Sequence, residues 1–394
     1  MQYKISLSQK KSELIKRIEL LRRGILPPTH NGKPIETFLS AGTGAGPQGK
    51  TFKVFVPGEN VYSQMISVPV YDFNHLLAPY AYSCKTGNSP GTLITENGIQ
   101  LKSVSIPKFL TASLENGTPL SRKGIIMRHC YDTFTSVFAY KCKHYEKKEQ
   151  CKYCEIEQVG LGISNFPEIQ DIKEFAETVQ IVTSKDNVRS LTITTGTFDT
   201  NDNVLRKYID LVRAIRERSG ISIHLQFEPV DDLSLIKEVA KYVQSVGIFL
   251  EIYDDEIRKL ICPGKFHNSR DKYKRNWAEA AKHFKKGSVT TTCLLGFGEE
   301  FDNIIKSAEE FANVGASTTL LFIRSNNDYM QKRIPSYLNS SIEELVNLHL
   351  QVASILNNNG IGFGSTDAAG CAGCHGCNAM KEACEIASEV NVIS

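Results

Sequence analysis

The sequence predicts an α/β protein: a partial, six-unit βα barrel with a small β-rich region before it and a cysteine-rich tail after it. Three observations carry this expectation. From residue 136 onward, short apolar runs alternate with amphipathic helical patterns, the signature of parallel βα units. Before about residue 125 the chain is rich in Gly, Pro, Ser and short β-branched runs. Beyond the last unit, Cys371, Cys374, Cys377 and Cys384 crowd into the tail. The divisions expected are 1–125, 126–340 and 341–394.

The elements follow in order. Leu14, Ile15, Ile18 and Leu21 recur at helical spacing among lysines and arginines, predicting an amphipathic helix over Ser8 to Arg23. TFKVFVP and MISVPVYDF read as strands of the N-terminal region. Within that region the loop Gly42 to Pro47 is an anion-site candidate through its backbone N–H groups, although no lysine–serine pair follows as a phosphate loop demands. Six strands are expected at Ser136–Cys142, Leu191–Thr195, Ser222–Phe227, Ile248–Tyr253, Val289–Leu295 and Thr318–Ile323. Helices fill the gaps at Asp171–Thr183, Asn203–Arg218, Leu233–Val246, Lys272–Lys285 and Asn303–Val314, and Ile342–Asn358 precedes the tail. Six units are too few to close an eight-stranded barrel, so a partial one is expected, with its chemistry at the carboxyl ends of the strands.

Composition narrows the function. With 394 residues the chain can bury a full core without staples. Its 11 cysteines cluster as CxxC steps, which favours metal in a reducing compartment over a disulfide framework. The charged start MQYKISLSQKKSELIKR is unlike a signal peptide, and no run approaches the roughly 20 apolar residues of a membrane span. A soluble, cytoplasmic protein is expected. A formal charge of +3, from 46 basic and 43 acidic residues, gives no reason to expect nucleic acid.

The cysteines carry the chemistry. Cys151 and Cys154 are separated by two residues, so a tight loop can aim both sulfurs at one centre, and Cys142 supplies a third. Three thiolates on a [4Fe–4S] cube leave one iron without a protein ligand. The alternative is structural zinc on Cys151 and Cys154 with Cys130, His129 or His144. In the tail, the small residues between Cys371, Cys374 and Cys377 permit tight wrapping of a second centre, to which Cys384, after six intervening residues, is a fourth candidate ligand. Iron–sulfur and zinc are both open there, and His375 reads as a loop residue or outer donor. Cys84, Cys262 and Cys293 stand alone and read as small hydrophobes. Lys141, Lys143, Lys147, Lys148 and Lys152 read as a solvated loop face.

Three thiols with an aromatic before the last one, Tyr153-Cys154, following the first strand of six βα units, resemble the radical S-adenosylmethionine (SAM) superfamily. The usual spacing there is CxxxCxxC; this chain has eight residues in the first gap. That long gap is similar to the radical SAM proteins of nitrilase-linked gene clusters. So are an early GxGP loop, TTGT after the second strand, QFEP at the third, ICPGK after the fourth, LLGFG at the fifth and the tail GCAGCHGC.

The resemblance implies that the open iron chelates SAM and that reductive cleavage gives a 5′-deoxyadenosyl radical, which takes hydrogen from a small-molecule or carrier-bound substrate. It implies an electron donor such as flavodoxin or ferredoxin. It places Thr194, Thr195, Gly196 and Thr197 where the superfamily binds the SAM amino group, without the usual glutamate. Glu228 and Glu251 become candidates for ribose or amino contacts, Arg258 for the SAM carboxylate, and Tyr153, Gly296 and Gly298 for the adenine. Sulfur insertion, fed by an auxiliary iron–sulfur cluster in the tail, is the leading specific reaction; rearrangement or C–C cleavage comes next. The competing class is a non-catalytic iron–sulfur or zinc protein for electron transfer or scaffolding, for which six βα units are superfluous. An RNA substrate would call for a basic auxiliary region with exposed aromatics.

Overall fold

The computed structural model describes residues 6–24, 29–30, 33–34, 51–55, 65–69, 82–84, 92–95, 100–103, 107–120, 126–129, 132–157, 167–323, 340–363 and 369–393. The Gly42–Pro47 loop and Cys130 lie outside those residues. Helix α1, Leu7–Arg23, starts on a capping box: the Ser6 hydroxyl accepts from the Gln9 N–H, and the Gln9 side chain accepts from the Ser6 N–H. Seven strands follow: β1 (Thr29–His30), β2 (Lys33–Pro34), β3 (Thr51–Phe55), β4 (Met65–Pro69), β5 (Tyr82–Cys84), β6 (Thr92–Thr95) and β7 (Gln100–Ser103). They form one sheet in the order β2-β1-β5-β6-β7-β3-β4, in which TFKVF and MISVP pair antiparallel as β3 and β4.

The second sheet is the barrel wall. Strand β8 (Ile126–Arg128) lies antiparallel to β9 (Thr133–Val137); then β10 (Ser190–Thr194), β11 (Ser222–Gln226), β12 (Ser245–Gly247), β13 (Val289–Leu295) and β14 (Ser317–Phe322) run parallel to β9 in chain order. Strands β8 and β14 are its two edges, so the barrel is partial, as expected. Helices α2 (Lys143–Glu146), α3 (Ile172–Lys185), α4 (Asn201–Arg216), α5 (Ser234–Val239), α6 (Asp255–Ile261), α7 (Pro263–Phe266), α8 (Arg270–Ala281) and α9 (Phe301–Ala312) connect the strands. Side-chain caps start several of these helices: Asp171 on α3, Thr200 on α4, Asp254 on α6 and Ser269 on α8. Strands β9, β10 and β13 are buried along their whole length, as parallel strands covered on both faces must be.

Two strands sit upstream of their expected places. The first is Thr133–Val137 in place of Ser136–Cys142, and the fourth is Ser245–Gly247 in place of Ile248–Tyr253. Hydrogen bonding explains both shifts. After Val137 and after Gly247 the regular ladder gives way to scattered bonds to the next strand, Phe138 N to Thr194 O on one side and Ile248 N to Thr290 O and Leu294 N to Glu251 O on the other, with Glu251 a non-glycine residue at φ +70. The helix expected to reach Val246 stops at Val239, which frees Ser245–Gly247 to pair.

The chain closes with α10 (Ile342–Asn358), α11 (Cys371–Cys374) and α12 (Met380–Ile393). Helix α1 packs beside β4, α10 and α12, so the two ends of the chain meet. Trp277, Tyr253 and Phe311 fill the core between α8, β13 and α9, with ring centroids 4.6–4.9 Å apart, and the Trp277 indole donates to the Ile248 carbonyl. No helix among the described residues is long and apolar enough to cross a membrane.

Candidate active site

Cys142 follows β9 across a four-residue loop that the end of β10 splints. Phe138 N donates to Thr194 O at 2.8 Å, Gly196 N to Ala139 O at 2.7 Å, and Lys143 N to Thr197 O at 2.8 Å. Glycine is required at 196, because a Cβ there would stand 2.2 Å from the Lys141 carbonyl oxygen. Cys151 and Cys154 come from the next turn, closed by Cys154 N on Cys151 O at 3.0 Å and pinned by Lys152 N on Ile261 O at 2.9 Å. All three thiols line one cavity of about 270 Å³. Burial pushes the Cys142 and Cys154 thiols up, so a metal that binds them must release their protons. The neighbouring lysines are turned elsewhere: Lys141 pairs with Glu146 and Glu168, Lys143 reaches Asp199 and Asn201, and Lys147 and Lys148 are exposed.

Thr194, Thr195, Gly196 and Thr197 line the same cavity, as do Tyr153, Glu228 and Glu251. Glu228 Oε1 takes the Thr197 hydroxyl and lies 3.0 Å from His144 Nε2, while Oε2 accepts from Asn268 at 2.9 Å. Burial opposes ionisation of Glu228, but the His144 hydrogen bond and the Lys265 charge outweigh it and hold the carboxyl at about 2. Glu251 takes the Tyr153 hydroxyl and pairs with Lys265 at 2.7 Å. Lys265 also lines the cavity; its burial is overcome by Glu251 and the surrounding anionic groups, which hold its pKa well above the ordinary lysine value.

The tail enters from the opposite end. Its backbone is held at the amino ends of the barrel strands: Ser245 at the start of β12 donates to Ala369 O at 2.8 Å, and Arg189, just before β10, donates to Gly373 O at 2.7 Å. Gly370 presses on the His224 ring so closely that a Cβ would stand 2.2 Å from it. Cys371, Cys374 and Cys377 therefore line the very cavity that Cys142, Cys151 and Cys154 line from the carboxyl ends. Between the two trios the wall is neutral: Thr135, Thr192, Gln226 and Thr292 alternate with Phe249, Leu294 and Leu321. The Thr292 hydroxyl is buried and has no hydrogen-bond partner.

Several expected site residues stand elsewhere. Arg258 is only 2 % exposed and outside the cavity lining; it bonds Asp255 and Asn268 O and stacks on Phe266, so its guanidinium is occupied in the core. Among the described residues, Lys265, within the ICPGK stretch, is the lysine or arginine that lines the cavity. Gly296 and Gly298 also lie outside the lining, which β13 supplies through Thr292 and Leu294. Cys384 is buried and outside the cavity lining, with its Sγ 4.0 Å from where a Gly362 Cβ would be. Conversely, Cys262 is not an isolated hydrophobe: its thiol groups with Cys151 and the Glu251 carboxylate within 4.8 Å, behind the cavity wall. Of the zinc ligands considered, His144 has its Nε2 engaged by Glu228.

Residues 137–311 match the sequence model of the Radical SAM superfamily. This part of the chain is a radical SAM domain. No curated protein matches the sequence. Among solved structures, the chain is similar to the FeFe-hydrogenase maturase HydG from Carboxydothermus hydrogenoformans, at 14% identity and TM-score 0.40 over 57% of this chain and 50% of that one. It is also similar to coproporphyrinogen III oxidase (HemN) from Escherichia coli, at 11% identity and TM-score 0.38 over 57% and 53%. A radical SAM methyltransferase from Sphaerobacter thermophilus aligns at 13% identity and TM-score 0.39 over 73% and 77%. The alignment spans about half the length of HydG and of HemN.

A radical SAM domain implies a [4Fe–4S] cluster and SAM. The residues present fit that pair. Three thiols converge on one cavity, a carboxylate–lysine pair stands beside them, and the backbone of the Gly196 turn closes over the first thiol with no room for a side chain.

Proposed function

We propose that the chain abstracts hydrogen from a substrate carbon held inside the barrel and attaches sulfur to that carbon. The observation that carries this reading is that two cysteine trios, one at each end of the strands, line one continuous cavity. Five-residue strands at about 3.3 Å per residue put the two mouths roughly 15 Å apart, a span that a small substrate can bridge. When bound, the cluster and SAM on Cys142, Cys151 and Cys154 supply the 5′-deoxyadenosyl radical, and an auxiliary iron–sulfur centre on Cys371, Cys374 and Cys377 supplies the sulfur.

The side chains have matching tasks. Lys265 meets the SAM carboxylate. Glu251, and the acceptor site that Glu228 keeps free of its three donors, take the amino and ribose groups, and Thr194 to Thr197 fence the amino end. Tyr153, fixed by Glu251 and packed on Phe297 at 6.0 Å between centroids, flanks the purine. The neutral middle of the cavity suits an uncharged, largely apolar substrate segment, small or delivered on a carrier, with a polar group for Thr292. Exposed Lys147 and Lys148 beside the first thiol loop suit an acidic reductant of the flavodoxin or ferredoxin kind. Oxygen-labile centres of this kind belong in the reducing cytoplasm.

The test is anaerobic reconstitution with isotopically heavy sulfide, reduction with dithionite, and addition of SAM and a deproteinised cell extract. Expected are 5′-deoxyadenosine, heavy sulfur in a new small molecule, and loss of iron and sulfide from the auxiliary centre as product forms. Cys151→Ala should abolish SAM cleavage, whereas Cys377→Ala should keep uncoupled cleavage and lose the product. Coupled turnover with sulfur-free product and full iron retention would instead establish rearrangement or C–C cleavage. Loaded clusters that release no deoxyadenosine would leave only an electron carrier.

A further inference from the structure

We propose that His375 is a ligand of the auxiliary centre through Nδ1, so that this centre is held by three cysteines and one histidine instead of four cysteines. The proposal rests on the reading that Cys371, Cys374 and Cys377 bind an iron–sulfur cluster, and it names the group at the remaining vertex.

Four observations point to it. First, His375 lies between Cys374 and Cys377, lines the same cavity and is 7 % exposed, and its Nδ1 has no hydrogen-bond partner. A buried polar nitrogen left unpaired is unfavourable, and a metal bond removes the penalty. Second, His375 holds φ +53, a left-handed conformation that a glycine would adopt without strain. A side chain kept at that position against its backbone preference marks a site where the side chain is used.

Third, the backbone around it is clamped. The Arg17 guanidinium of α1 donates to the carbonyls of His375 and Asn378, at 2.7 Å for the latter, and Arg189 holds Gly373 O. The imidazole is thus presented from a fixed frame. Fourth, the alternative donor is committed elsewhere: Cys384 sits on α12, where its carbonyl is held by Asn357 and its thiol packs toward Gly362, outside the cavity. Imidazole is a competent iron ligand. As a neutral donor it also leaves a cluster more readily than a thiolate, which suits a centre that gives up sulfur.

The experiment uses the full chain with Cys142→Ala, Cys151→Ala and Cys154→Ala combined, reconstituted anaerobically, so that iron can occupy only the tail. Expected are retained iron and sulfide and a nitrogen coupling in pulsed EPR of the reduced sample that changes when the protein carries isotopically labelled histidine. Adding His375→Cys should keep the iron and abolish the coupling, and Cys384→Ser should change neither. Iron without a histidine coupling, or iron lost with Cys384→Ser, overturns the His375 assignment while leaving the auxiliary centre standing. No iron in the tail, or zinc in its place, overturns the auxiliary centre itself. Should the triple variant fail to fold, the labelled-histidine spectra of the unaltered protein and of its His375→Cys variant give the same decision, since a coupling that survives the substitution belongs to another histidine and overturns the assignment.

Discussion

The Lys265 ammonium stands 2.7 Å from the Glu251 carboxylate at the carboxyl mouth of the barrel, and both side chains are largely buried. Glu251 reaches this position from a left-handed backbone, at φ +70, just where the fourth strand leaves the sheet. Here a strained turn presents an ion pair to the cavity that the three thiols line, and the pair's cation is the group suited to an incoming carboxylate.

The first prediction concerns that cation. Lys265→Met removes a charge-assisted hydrogen bond worth roughly 1.5–3 kcal/mol, so SAM affinity should fall about 10- to 150-fold while iron content holds. Arg258→Met should leave SAM affinity unchanged and lower Tm, because Arg258 serves Asp255, Asn268 and Phe266 in the core. Equilibrium dialysis of SAM against both reconstituted variants decides between them. A loss confined to Arg258→Met would return the carboxylate role to Arg258.

Glu228 predicts an acid limb. Its carboxyl is depressed from 4.5 to about 2, so it stabilises the fold fully above the unfolded value and loses that contribution as pH falls toward 2. The difference corresponds to stabilisation on the order of 3 kcal/mol. Glu228→Gln should lower the neutral-pH Tm of the apo-protein at a fixed scan rate and flatten the fall in Tm between pH 5 and pH 3. An unchanged acid limb would show that the His144, Thr197 and Asn268 contacts carry no net weight.

The run of strands and helices was legible because apolar periodicity reports burial, and the parallel wall buries both faces. The same rule misplaced the first strand: its interior side chains are hydroxylic, Thr133, Thr135 and Ser136, and a search for apolar runs slides past them to Val137–Tyr140. Spacing within CxxC steps was enough to group Cys151 with Cys154 and Cys371 with Cys374 and Cys377, since those contacts are local. Nothing local could place the tail under the barrel, because Ser245 and Arg189, far away in sequence, hold it there. Sequence alone points to Arg258 and passes over Lys265 for a similar reason: which cation faces the cavity depends on how α6 and α7 turn after Glu251. A lysine directly following Cys-Pro-Gly was the available hint.

Glu299 predicts a limb of opposite sign. Burial raises its carboxyl to about 7, although it accepts from the Tyr253 and Asp254 N–H groups at 2.6 and 2.7 Å. The folded state therefore holds this proton more tightly than the unfolded chain. Its contribution is complete below pH 4.5 and is lost as pH rises through about 7. Between pH 5.5 and pH 8 the apo-protein should lose a few degrees of Tm, and Glu299→Gln should remove most of that slope. A wild-type Tm that is flat or rises across this interval would contradict the assignment.

Gly196 sets how closely the end of β10 can approach the loop that carries Cys142. A Cβ at 196 would meet the Lys141 carbonyl oxygen at 2.2 Å and the Cys142 Cβ at 3.1 Å, and the first of these contacts is with backbone, which cannot swing aside as a flexible side chain would. Gly196→Ala must therefore push the two segments apart and stretch the Gly196 N to Ala139 O bond, now 2.7 Å. Because Cys142 moves with that loop while Cys151 and Cys154 stay pinned through Lys152 to Ile261 O, the three thiols lose their common focus. The expected outcome is the loss of the iron bound by this trio, read in protein that also carries Cys371→Ala, Cys374→Ala and Cys377→Ala, with folding retained by circular dichroism. Full iron retention there would mean that the loop is free to shift and that the close approach does not set the ligand geometry.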